Sequence, residues 1–166
     1  MAQNETPVGY GVIGVGFGAS RCPMIKDAPG ARLVAVSSRQ PDKAREAGET
    51  FGAGWYSDYR ELIANDEVDV VGIYTPSAAH MEIAIEAADA GKHVLVTKPL
   101  EITLDRIAPM IDACKANGVR LATDYPVRYQ PGNYALYRAV RDGLLGSMIL
   151  GEFAEKLYRP AWYYEL

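Results

Sequence analysis

The chain has 166 residues, 49% of them hydrophobic, which is enough apolar material for one domain of ordinary size with a true core. A formal net charge of −4 and the absence of clustered Lys and Arg exclude a nucleic-acid surface, which needs cations to displace phosphate counterions. No run approaches the roughly 18 apolar residues of a membrane span, and residues 1–7 lack the apolar core of a signal peptide, so a cytoplasmic protein is expected.

An apolar run at 10–15 reads as a buried parallel strand. It leads through Gly14, Val15, Gly16, Phe17, Gly18 and Ala19 into a helix that Asp27, Ala28, Pro29 and Gly30 stop. Gly14, Gly16 and Ala19 have the spacing of a dinucleotide-binding turn. Such a turn needs a strand that stops abruptly, a backbone bare enough for pyrophosphate to approach, and a helix whose unpaired N–H groups face the anion. Ala19 takes the third position, where a small residue permits helix and strand to pack closely, and Gly18 adds backbone freedom beside it.

A second strand follows at 32–37. A dinucleotide-binding domain normally carries an acid here to hold the ribose 2'-hydroxyl. Ser38 stands in its place, 24 positions after Gly14, and Arg39 follows. A carboxylate would repel a 2'-phosphate, whereas a hydroxyl and a guanidinium both hydrogen-bond it, so this corner suits NADP better than NAD, with NAD possible. The alternative is a solvated Arg39 at a strand end.

Strand and helix then alternate: a helix at 41–51, a short strand at Trp55 and Tyr56, a brief helix at 58–65 capped by Asp58, and a buried strand at 68–74. A helix at 77–90 follows, with Ser77 as cap and Gly91 at its end, then a strand at 93–96. The next helix, 103–117, carries Leu104, Ile107, Ile111 and Cys114 on one face, and 119–123 is the sixth strand. This alternation predicts an α/β fold of the Rossmann type, a doubly wound parallel sheet with its ligand crevice at the carboxyl ends of the strands. Cys22 and Cys114 have neither CxxC spacing nor a His cluster nearby, so reduced buried thiols are expected and no metal site. His93, beginning a strand after a tight turn, reads as structural.

The GVGFGA turn, DVVGIYTP at 69–76, His80 four residues after Pro76, GKHV at 91–94, and Lys98 with Pro99 together resemble the N-terminal domain of the Gfo/Idh/MocA oxidoreductases, the glucose-fructose oxidoreductase and inositol dehydrogenase group. The resemblance runs from Val8 to Phe153. It implies that Lys98 matches the lysine of the family's EKP motif, which sits by the nicotinamide and touches the substrate hydroxyl or carbonyl. An ammonium there stabilises a developing alkoxide and relays a proton; the alternative is a lysine merely snorkelling at a strand end. Thr97 replaces the motif's carboxylate, which removes a neighbour that would favour the charged lysine.

The resemblance also implies that Thr75 and Pro76 shape the nicotinamide pocket. For His80, in the first turn of the 77–90 helix, pocket lining, a structural hydrogen bond and a catalytic base all stay open. The loop DYPVRYQP at 124–131 resembles the one that closes over the nicotinamide, with Arg128 and Tyr129 matching its Arg-aromatic pair and Pro126 standing where many members have Asn. Arg128 pairing with a surface carboxylate is the other reading.

Members of this family carry a second α/β domain that supplies the substrate pocket and the oligomer interface. On that reading residues 1–146 form the dinucleotide-binding domain, and 147–166 begin a truncated second domain with an opening strand at 147–158 followed by Trp162, Tyr163 and Tyr164. A homo-oligomer or a complementing chain is expected to cover this tail, unless the sequence is a piece of something longer. The implied activity is hydride transfer between a nicotinamide cofactor and a sugar or cyclitol hydroxyl or carbonyl. A catalytically silent cofactor sensor and a structural partner are the alternatives.

Overall fold

The computed structural model describes residues 6–161, and Trp162, Tyr163 and Tyr164 lie outside them. Six strands, β1 (Val8–Ile13), β2 (Ala31–Ser37), β3 (Gly54–Tyr56), β4 (Val70–Ile73), β5 (His93–Thr97) and β6 (Leu121–Asp124), form one sheet in the order β3-β2-β1-β4-β5-β6. Every pairing is parallel. The helices between them are α1 (Cys22–Asp27), α2 (Pro41–Phe51), α3 (Tyr59–Ile63), α4 (His80–Asp89) and α5 (Leu104–Ala116). Strand order reverses between β1 and β4, so these two strands flank the topological switch point.

Alternation along the central strands supplies both faces. Val12 and Val36 join Val15, Cys22, Ala47 and Tyr74 in one cluster, while Ile13 and Ala35 join Val71, Ile73, Ile83, Val94, Val96 and Met110 in the other. Ala84, Ala87 and Ala88 are fully buried, so α4 lies close against the sheet.

The expected elements form, with shifted ends. β1 runs Val8–Ile13 rather than 10–15, because Val15 already belongs to the turn. The segment expected as one helix from Ser77 opens with a 3-10 turn, Ser77–Ala79, before α4, and Ser77 caps nothing. Asp58 does cap α3, its carboxylate accepting from the Arg60 N–H at 2.9 Å. On α5 the buried residues are Met110 and Cys114, whereas Leu104, expected on the inner face, is 84% exposed. A three-and-four spacing back from Cys114 runs through Met110 and Ile107 and leaves Leu104 on the outer side.

The chain divides into two compact units after Tyr125. The second holds a 3-10 turn, Pro126–Tyr129, and a helix that the sequence reading did not anticipate, α6 (Pro131–Arg141), with Pro131 at its first position. Residues 147–158, read as an opening strand, form no strand. A strand exists only where a partner takes up its N–H and C=O groups, and no described residue supplies one there.

Candidate cofactor site

The carboxyl ends of the strands lie level. Ile13 pairs with both Ser37 and Ile73, Ser37 with Tyr56, Ile73 with Val96, and Thr97 with Asp124. The residues just past each strand are therefore presented along one edge.

Gly14 follows β1 with φ +94°, a conformation L side chains rarely adopt, and a Cβ there would sit 2.7 Å from the Tyr74 carbonyl oxygen. Its N–H donates to the Ser37 carbonyl at 2.8 Å, tying the turn to β2. Gly16 is exposed, and a Cβ there would meet nothing within 4 Å. The Gly16 and Phe17 amides have no acceptor among the described residues. Bare backbone donors above an open space fit the demand of a diphosphate.

Close helix–strand contact falls on Gly18, not on Ala19. A Cβ on Gly18 would lie 2.9 Å from Val12 Cγ1 and 3.1 Å from the Tyr74 side chain, while Ala19 is only half-buried. Gly18 is absent from the positive-φ glycines, so its value is room rather than backbone freedom. A 3-10 turn at Gly18–Arg21 runs directly into α1, with Gly18 its buried residue.

A cleft of about 1060 Å³ runs from Gly14 and Gly16 past Ser38, Arg39 and Lys43 on one side and Thr75 and Pro76 on the other. Ser38 accepts from the Gln40 N–H at 3.2 Å and keeps its hydroxyl proton to donate. Arg39 and Lys43 have no ion-pair partner among the described residues. Arg60, also in the wall, is engaged by Glu86 at 3.0 Å and lies 4.8 Å from the Tyr59 ring centre. Lys43 went unnoticed in the sequence because it reads as an ordinary solvated residue of α2, and only the fold carries it to the crevice.

Thr75 lines the cleft, and its Oγ1 is buried without a partner among the described residues. An orphaned buried hydroxyl is costly, and a ligand group is one way to satisfy it.

His80 is fully buried. Its Nε2 lies 3.0 Å from the Thr75 carbonyl oxygen, and its Nδ1 lies 3.1 and 3.2 Å from those of Pro99 and Leu100. A neutral imidazole donates through one nitrogen only, so the ring holds either the Thr75 carbonyl or those of Pro99 and Leu100; full burial among backbone carbonyls favours the structural hydrogen-bond reading over pocket lining or a base. His93 is structural as well, its Nδ1 accepting the Arg120 N–H at 3.1 Å.

Lys98 is exposed and follows β5 directly, its bond to Pro99 cis. Thr75 and Lys98 each come two residues beyond the paired Ile73 and Val96, past the carboxyl ends of adjacent strands. No hydrogen bond or ion pair engages Lys98 among the described residues. The carboxylate missing at Thr97 is not replaced beside it. Glu101, a buried residue the sequence reading passed over, instead accepts from the Ile102 N–H at 2.7 Å, the Met81 N–H at 3.0 Å and Arg106 at 3.2 Å. Burial alone would raise the Glu101 pKa, but the hydrogen bonds from Ile102, Arg106 and Met81 outweigh it and hold the carboxyl below its usual range. It fastens the turn after Lys98 to the start of α4. Arg128 belongs to the second unit, on its exposed 3-10 turn.

A parallel sheet in this order, with a glycine turn at its switch point, defines a nucleotide-binding α/β domain of the Rossmann type. Residues 8–125 match the oxidoreductase family with an NAD-binding Rossmann fold, and the chain belongs to that family, Gfo/Idh/MocA. An uncharacterized oxidoreductase of Rhizobium meliloti is 35% identical over 153 residues, covering 89% of this chain and 46% of that protein. The D-apiose dehydrogenase of Paraburkholderia graminis is 32% identical over 142 residues, 84% of this chain and 38% of its own length. A 3-ketoreductase from Actinomadura kijaniata, solved in complex with NADP, superposes with a TM-score of 0.77 at 29% identity, covering 84% of this chain and 45% of that one. The chain spans less than half the length of these relatives. Among the described residues no helix is long and apolar enough to cross a membrane.

Proposed function

We propose that this chain is the cofactor-binding part of an NADP(H)-dependent oxidoreductase acting on a hydroxyl or carbonyl of a sugar or cyclitol. The observation that carries the reading is the glycine turn at the switch point, where the Gly16 and Phe17 amides have no acceptor among the described residues and Gly16 leaves room beside the chain. On this reading Gly14, Gly16, Phe17 and Gly18 form the diphosphate cradle, with Ala19 beside it. Ser38, Arg39 and Lys43 hold a ribose 2'-phosphate; two unpaired cations with a free hydroxyl proton support NADP over NAD. Thr75 and Pro76 shape the nicotinamide end, with the buried His80 ring against the Thr75 carbonyl.

When bound, the nicotinamide supplies or accepts the hydride. Lys98 does the remaining chemistry at the substrate oxygen, where its ammonium stabilises developing negative charge and gives or takes the proton. A sugar-like substrate is supported by the activities of the relatives, among them an apiose dehydrogenase and a ketoreductase. Residues 1–146 constitute the dinucleotide-binding domain and 147–166 the beginning of a second α/β domain, completed by further chain or by a partner copy. The two free, buried thiols, Cys22 and Cys114, are in keeping with a cytoplasmic location.

Titration with NADPH and NADH tests the reading. NADPH is expected to bind more tightly by at least about tenfold, the worth of one charge-assisted contact. Equal affinities, or tighter NADH, would overturn the NADP assignment, and no binding of either would overturn the oxidoreductase reading for this chain.

A further inference from the structure

Phe17 lies inside the glycine turn and is 52% exposed, yet its ring is not free. The Arg21 guanidinium lies 4.9 Å from its centre, and the Tyr74 ring centre is 6.2 Å away. Arg21 is itself held: its Nε donates to Asp124 Oδ2 at 2.8 Å, and the two side chains are only 13% and 16% exposed. Tyr74 is itself buried, so its ring is a fixed neighbour for that of Phe17. Asp124 ends β6, three places across the sheet from β1. A turn beside β1 is thereby anchored to the far side of the same edge.

Arg21 stands close enough to the turn to suggest a direct phosphate ligand. Its geometry points elsewhere, because the guanidinium is neutralised by Asp124 and lies over the Phe17 ring. We propose that Arg21, held by Asp124, is a positioning residue: by stacking on Phe17 it fixes the orientation of the Gly16 and Phe17 amides that receive a diphosphate. Asp124 acts through Arg21, and the Tyr74 ring gives Phe17 a second neighbour. The inference rests on the nucleotide-binding reading above and adds which residues set the cradle.

NMR titrations of the full chain with NADPH and with 2'-AMP, run well below each variant's melting temperature, provide the test. The proteins are the unaltered chain, Arg21→Met, Asp124→Asn, their combination, and Arg21→Lys. Arg21→Met and Asp124→Asn should each weaken NADPH about tenfold, and the combination should be no worse than the weaker single variant, since the two act as one unit. Arg21→Lys keeps the ion pair and should recover part of the loss. Affinity for 2'-AMP, which lacks the diphosphate, should stay within about twofold throughout. NADPH affinity unchanged in Arg21→Met overturns the inference. Tighter NADPH binding in Asp124→Asn overturns it in favour of Arg21 as a direct phosphate ligand. Loss of 2'-AMP in step with NADPH overturns it in favour of a role in folding alone. If the unaltered chain binds 2'-AMP and NADPH not at all, the nucleotide reading falls and this inference with it.

Discussion

Single residues carry this site unequally. Lys98 is exposed, with no hydrogen bond or ion pair among the described residues, so its removal should cost chemistry rather than folding. Lys98→Met in the complete enzyme is expected to nearly abolish kcat while leaving NADPH affinity within about twofold, as measured by single-turnover kinetics beside a binding titration; retained turnover would take Lys98 out of the mechanism. Gly14 answers to the opposite test. Gly14→Ala combines an unfavourable φ of +94° with a Cβ 2.7 Å from the Tyr74 carbonyl, and urea unfolding should register a loss of at least about 2 kcal/mol. Glu101 sets a pH dependence. Its carboxyl is held below the usual range when folded, so its ionised form favours the native state. That stability is complete above the ordinary carboxylate pKa and is lost as pH falls through the folded value. The stability difference between the unaltered chain and Glu101→Gln should therefore shrink on acidification, and a difference that stays constant from neutral to acid pH would refute the role.

Elements were legible where local pattern suffices. The apolar runs of β1, β2, β4 and β5, and the Gly91 that ends α4, are readable because strand pleat and helix pitch are properties of the local chain. The stripe on α5 was misread at one end: Ile107 and Ile111 are half-buried and Cys114 is buried as expected, but Leu104 is exposed and Met110, which the expected stripe left out, is fully buried. Only the sheet beneath decides which of these positions is buried. Met110→Ala should accordingly cost about 2–4 kcal/mol in urea unfolding, and Leu104→Ala less than about 0.5 kcal/mol. The reverse order would restore the sequence expectation. α6 escaped notice because none of its residues is buried, so its apolar positions did not read as the inner face of a packed helix.

At the scale of the whole molecule, no described residue beyond Cys114 is buried. The first unit, which ends at Tyr125, thus contains the entire core seen among the described residues. A chain ending at Tyr125 should therefore fold by itself and unfold cooperatively in urea, and the lack of a cooperative transition would refute this. By itself the sequence determined the alternation of strands and helices, the glycine turn and the polar corner at Ser38 and Arg39, because each is written in neighbouring residues whose propensities and spacing act over one or two turns of chain. Only the tertiary structure decided that Gly18 rather than Ala19 meets β1, that Lys43 joins the cleft, that His80 faces inward to three carbonyls, and that Arg21 finds Asp124 across 103 positions. These contacts arise where strand ends are brought level along one edge of the sheet, and strand order is settled by how the whole chain buries both faces at once rather than by any one segment.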